Sequence, residues 1–216
     1  MDRIEKNDLP GLFEALRDVF AAQREALIAL DGKVGDSDLG ITMNKAFVAA
    51  FETVRNNTTD PIGKTLQLAG MAVAKAAPST MGTLVATGFM RGGKALEGAS
   101  AWGTAEMGAF WAAFFQGVAD RGKAQLGDKT LLDVLSPIAV SLASSSGKGA
   151  ALAQALEHAA QAARDGLDAT KGMMAQHGKA ACFQEKTVGL QDAGATVGVL
   201  MIETLHAYVV QTRSSM

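Results

Sequence analysis

One cysteine in 216 residues, Cys182, excludes an internal disulfide. Three histidines, His158, His177 and His206, stand too far apart to read as a zinc-type cluster, so any bound metal must be held by oxygen ligands. An excess of charge of one sign is missing too. The formal net charge is −2 and no block of like charge occurs, which argues against nucleic acid and anionic membrane surfaces as partners. The strongest apolar run, VGVLMI, falls far short of the roughly 20 residues a spanning helix needs. The amino-terminal MDRIEKNDLP is charged where a secretory signal turns apolar. A soluble cytoplasmic protein is expected. With only four prolines and no linker long enough to divide the chain, a single domain over residues 1–216 is expected as well.

Strand-like alternation is absent. Apolar residues recur at helical spacing nearly everywhere, as in Leu12, Phe13, Leu16, Val19 and Phe20, or Phe47, Val48, Phe51 and Val54. Breakers and caps divide the chain into eight helical segments, near 9–30, 40–56, 61–77, 80–97, 104–121, 129–145, 148–174 and 193–213. Asp60 before Pro61 reads as an N-cap followed by a proline whose missing amide hydrogen costs nothing, and Pro137 reads as a kink. An all-α, up-and-down assembly follows. Glycine and polar residues concentrate in its two longer connections, 31–39 and 175–192, where function is expected.

The stretch LDGKVGDSDLGITM, residues 30–43, carries Asp31, Asp36 and Asp38 among glycines. Hard divalent cations prefer carboxylate oxygens, and such a loop can converge three of them on magnesium. A calcium hand is excluded, because the twelfth position counted from Asp36 is Phe47 rather than an acid. The plainer alternative is that Asp31 and Asp38 cap flanking helices while Asp36 is solvated. Gly40, Ile41 and Thr42 open a helix just after the carboxylates, where free amides suit a phosphate. PSTMGT, residues 78–83, offers hydroxyls at another helix start; RGKAQLGDKTLLDVL places Asp128 as a natural N-cap; GLQDAGAT sets Asp192 and Gly194 before the last helix.

In this order the stretches resemble the nucleotide-binding L subunit of dihydroxyacetone kinase and the corresponding domain of single-chain kinases. The family signature GDxDHGxxM appears as GDSDLGITM, its GDKTM-D as GDKTLLDVL, and its GHQDPGATS as GLQDAGATV. The resemblance runs nearly end to end. It implies an eight-helix antiparallel barrel with Mg-nucleotide, ADP or ATP, in the loops at one end. It further implies that Asp31, Asp36 and Asp38 hold two Mg2+, and that Gly40, Ile41, Thr42, Thr80 and Met81 lie at the phosphates. Gly122 and Leu131 would flank the adenine, and Lys179, Asp192 and Gly194 would belong to the loop that closes over the nucleotide. No catalytic nucleophile or base is expected on this chain, since in the family the ketose is bound on a separate K-type subunit. The phosphoryl donor is left open between ATP and a phosphohistidine protein of the sugar phosphotransferase system.

The chain departs from the pattern at several points. Leu39 and Leu190 replace family histidines, Ala193 a proline, Met81 a serine and Lys179 an arginine, whose planar fork of donors becomes a point charge. The three aspartates are intact. Two readings follow: a divergent phosphotransferase subunit acting on dihydroxyacetone or a related small ketose, or a non-catalytic nucleotide-binding regulatory or adaptor subunit.

Overall fold

The computed structural model describes residues 1–214. Among the described residues nine α-helices follow one another: α1 (Leu9–Ala22), α2 (Arg24–Asp31), α3 (Leu39–Asn56), α4 (Ile62–Ala76), α5 (Thr80–Ala95), α6 (Thr104–Gly122), α7 (Leu132–Gly147), α8 (Leu152–Ala169) and α9 (Ala193–Ser214). The described residues contain no strand, only an isolated antiparallel bridge between Ile4 and Trp102. The all-α expectation holds.

The single helix expected over 9–30 is two helices. The chain turns at Gln23 (φ −88°, ψ 2°), so α1 and α2 together form the first stave of an eight-stave barrel. Each stave packs on the next, and α1 closes the ring against α9. The apolar stripes meet inside. Leu9, Leu12, Phe13, Leu16 and Phe20 of α1 are buried at the spacing that keeps one helical face inward. Phe20 stacks on Phe47 of α3 with ring centroids 4.2 Å apart, and Phe89 of α5 meets the edges of Phe110 and Phe114 of α6.

Two expected caps are displaced. Pro61 is extended (φ −59°, ψ 160°) and itself fills the cap position of α4, which leaves Asp60 one residue too early; its carboxylate accepts the Asn57 side-chain amide instead, at 2.9 Å. Asp128 stands four residues before α7. The amides ahead of that helix go to Asp133, whose two oxygens accept from Gly127 N at 2.6 Å and Thr130 N at 2.7 Å. α7 continues through Pro137 as one helix.

By length and composition alone, Ala193–Thr212 of α9 would suit a bilayer. In the fold it is a stave of the barrel, with Ala195, Val197, Met201, Ile202 and Val209 in the common core.

Candidate functional site

An up-and-down barrel puts alternate connections at the same end. The α2–α3, α4–α5, α6–α7 and α8–α9 connections therefore gather at one mouth, and they are the four stretches that the sequence patterns single out. Between them lies a cleft of about 440 Å³. Asp31, Asp36, Asp38, Thr80, Met81, Gly122, Leu131, Lys179, Asp192 and Gly194 all line it. Gly40, Ile41 and Thr42 do not. Gly40 faces α2, the Thr42 amide is already bonded to the Asp38 carbonyl at 2.9 Å within α3, and the Gly40 and Ile41 amides remain without an intrahelical partner.

Asp31 ends α2, and its Oδ2 accepts the backbone N–H groups of Asp38 at 3.0 Å and Leu39 at 3.4 Å. These bonds fold the loop back onto the helix. Ser37 takes a left-handed conformation (φ 61°) between Asp36 and Asp38. As a result one oxygen from each of Asp31, Asp36 and Asp38 lies within 4.8 Å of the others. Burial, then the neighbouring Asp36 and Asp31 charges, holds the Asp38 carboxyl above the ordinary carboxylate range. The Lys179 ammonium donates to Asp36, and that bond raises the lysine above its usual value. Oxygen-only donors that repel one another and draw in a cation suit a hard divalent ion.

The opposite wall begins at α5, where the Ser79 hydroxyl caps the helix by accepting Gly82 N at 3.0 Å, and Thr80 and Met81 form its first turn. The Met81 methyl reaches the start of α9 so closely that a Cβ on Gly194 would stand 2.7 Å from it. Asp192 caps α9 by accepting Ala195 N at 2.7 Å. Burial outweighs that bond and the nearby Lys129 charge, and pushes the Asp192 carboxyl up to about 6.

Lys129 was not singled out by the sequence patterns. It is 3% exposed, adopts φ 61°, and donates to the carbonyls of Thr170 (2.6 Å), Met173 (3.2 Å) and Leu190 (2.5 Å). Burial lowers its pKa. It binds the α6–α7 wall to both ends of the 173–192 connection. His177 was missed as well; it lines the cleft with Nε2 2.9 Å from Asp128 Oδ2.

This barrel shares its fold with about a third of the chain of solved dihydroxyacetone kinases. The dihydroxyacetone kinase of C. freundii in its native form superposes with TM-score 0.73 at 22% identity, over 96% of this chain and 36% of that one. The same kinase in complex with AMP-PNP and Mg2+ gives TM-score 0.71 at 23% identity, over 92% of this chain and 33% of that one. The chain belongs to the DAK2 domain family, whose profile matches residues 33–207. It is 33% identical over 188 residues to the PEP-dependent dihydroxyacetone kinase, ADP-binding subunit DhaL, of Escherichia coli (strain K12), covering 87% of this chain and 90% of that protein. It is 30% identical over 195 residues to the L-erythrulose kinase of Pectobacterium atrosepticum, of which it spans 33%. The family resemblance carried by the ordered motifs is borne out.

Proposed function

We propose that the chain is a phosphotransferase subunit that binds Mg-ADP or Mg-ATP in the cleft and passes a phosphoryl group to dihydroxyacetone or a related small ketose held on a separate K-type subunit. The observation that carries this reading is the convergence of Asp31, Asp36 and Asp38 within 4.8 Å at the mouth of a cleft built from the four motif-bearing connections. Similarity along most of its length to a subunit named for ADP binding, and to an erythrulose kinase, supports the donor and the acceptor class respectively.

In this reading the three aspartates hold two Mg2+, and the ions when bound neutralise charge on the phosphates. The residues do the rest by position. Thr80 and the start of α5 offer a hydroxyl and helix-end amides to the phosphates, while Gly40, Ile41 and Thr42, outside the cleft lining, are given no phosphate contact. Gly122 and Leu131 form the side that takes the base. Lys179 and Asp192 belong to the connection that closes over the nucleotide and excludes water, and Gly194 lies beside it in the first turn of α9. No side chain on this chain is assigned to deprotonate the sugar. A phosphohistidine protein of the phosphotransferase system is the second candidate donor, with ADP then retained, and the assembly works in the cytoplasm as a single-domain partner of the K-type subunit.

Leu39 and Met81, both on the cleft wall, favour a second reading in which the nucleotide is held by a regulatory or adaptor subunit. Calorimetric titration with ADP and ATP, with magnesium and with chelator, tests the nucleotide site; supplying a K-type partner and a ketose then separates transfer from regulation. Asp36→Asn removes a cation ligand, and since outer-shell changes alone cost about 10–100-fold, Mg-nucleotide affinity should fall more than about a hundredfold with circular dichroism unchanged. Undiminished binding by that variant would overturn the assignment.

A further inference from the structure

Three consecutive residues, His177, Gly178 and Lys179, cross the mouth of the cleft and are pinned to two different connections. His177 Nε2 lies 2.9 Å from Asp128 Oδ2, and beside it Gln176 N donates to the Asp128 carbonyl at 3.1 Å, both in the α6–α7 connection. Two residues further on, the Lys179 ammonium donates to Asp36 in the α2–α3 connection. Between the pins Gly178 has φ +66°, a left-handed turn that glycine takes without strain and that redirects the chain from one pin to the next. The side chain of Lys179 is 64% exposed and that of Asp36 37%, so a small ion has a path to the bond that joins them.

The ammonium on Asp36 and a divalent cation on the aspartate cluster compete for the same carboxylate and repel each other. We propose that the 176–179 strap is a latch that a divalent cation displaces: in the ion-free chain Lys179 serves as counter-ion to the cluster and draws the strap across the cleft, and cation entry expels the ammonium while the Asp128 pin holds the other end. This rests on the cation-site reading of Asp31, Asp36 and Asp38 given above. The freed ammonium is then available to an anionic group in the cleft. Binding of the cation and opening of the strap are thereby linked, each opposing the other's alternative by the same factor.

The test is Mn2+ binding to the nucleotide-free chain, followed by electron paramagnetic resonance, for the parent and for Lys179→Gln, Asp36→Asn and the double variant. Lys179→Gln keeps a polar side chain of similar length at an exposed position and removes the competing charge. It should bind Mn2+ about two- to fivefold tighter than the parent, the scale set by an exposed ion pair. In parallel, Mn2+ alone should speed amide exchange across residues 178–187 of the parent and leave Lys179→Gln unchanged, because its strap is already released. Equal or weaker Mn2+ binding by Lys179→Gln, with binding lost in Asp36→Asn, overturns the latch and leaves the cation site standing. Undiminished binding in Asp36→Asn overturns both.

Discussion

Asp192 caps α9 while its carboxyl is pushed up to about 6, chiefly by burial. A carboxyl with a raised folded-state pKa binds its proton more tightly folded than unfolded. Its contribution is therefore fully present below the unfolded value near pH 4 and is lost as pH rises through about 6. Asp192→Asn keeps an oxygen for the Ala195 amide and cannot ionise. It should match the parent in denaturant stability near pH 4, exceed it by about 1–3 kcal/mol near pH 7, and flatten the intervening slope; parallel pH profiles would refute this account. Lys129 is the opposite case. Its motif is visible in GDKT, but its three acceptors lie 41 to 61 residues later, and a loop lysine looks solvated until the fold brings Thr170, Met173 and Leu190 to it. Lys129→Met would strand three carbonyls and should cost about 2–4 kcal/mol in chemical unfolding. A loss under 1 kcal/mol would show that water replaces the ammonium there.

Helix positions were readable because burial imposes a periodic stripe and because local punctuation is strong, as at Ser79 before α5. The break between α1 and α2 was not. Residues 21–26, AAQREA, contain neither glycine nor proline, and the turn at Gln23 is set by what packs against the chain after it. That partner is α3. A Cβ on Gly40 would stand 2.0 Å from the Arg24 carbonyl oxygen and 2.9 Å from Ile28 Cγ1, so α2 and α3 touch through backbone. The sequence presents Gly40 as a phosphate-side residue; the packing gives it a different duty, which is to set Asp31 on α2 beside Asp38 at the start of α3. Gly40→Ala forces the two helices apart. Thermal unfolding should report a loss of about 1–3 kcal/mol, and Mg-nucleotide affinity should weaken with it, since the carboxylates ride on the two displaced elements. A stable variant with full affinity would mean that α2 adjusts freely.

At the scale of the whole molecule, up-and-down connectivity separates the end that carries the candidate site from the opposite end. The aspartates, the α5 start, Lys129 and the strap residues collect at one mouth. At the other end of the barrel, the chain before α1 meets the α5–α6 turn, pairing Ile4 with Trp102 through two backbone bonds of 3.1 and 2.8 Å, and both side chains are buried. Such a division was legible once the helix order was read, because alternate loops of an antiparallel barrel must share an end; the contacts across each end were not, as they join residues far apart in sequence. Two variants should then behave oppositely. Ile4→Ala removes buried methyl groups and should lower the stability of the ligand-free chain by about 2–5 kcal/mol, yet Mg-ADP at a hundred times its Kd should still add about 2.7 kcal/mol, a rise of about 5–10 °C in Tm. Asp36→Asn loses only an exposed pair with Lys179 and should leave the ligand-free Tm nearly unchanged, while Mg-ADP should no longer raise it. If Ile4→Ala instead erased the ligand-induced rise, the two ends would be coupled through the aromatic core, and the separation argued from connectivity would fail.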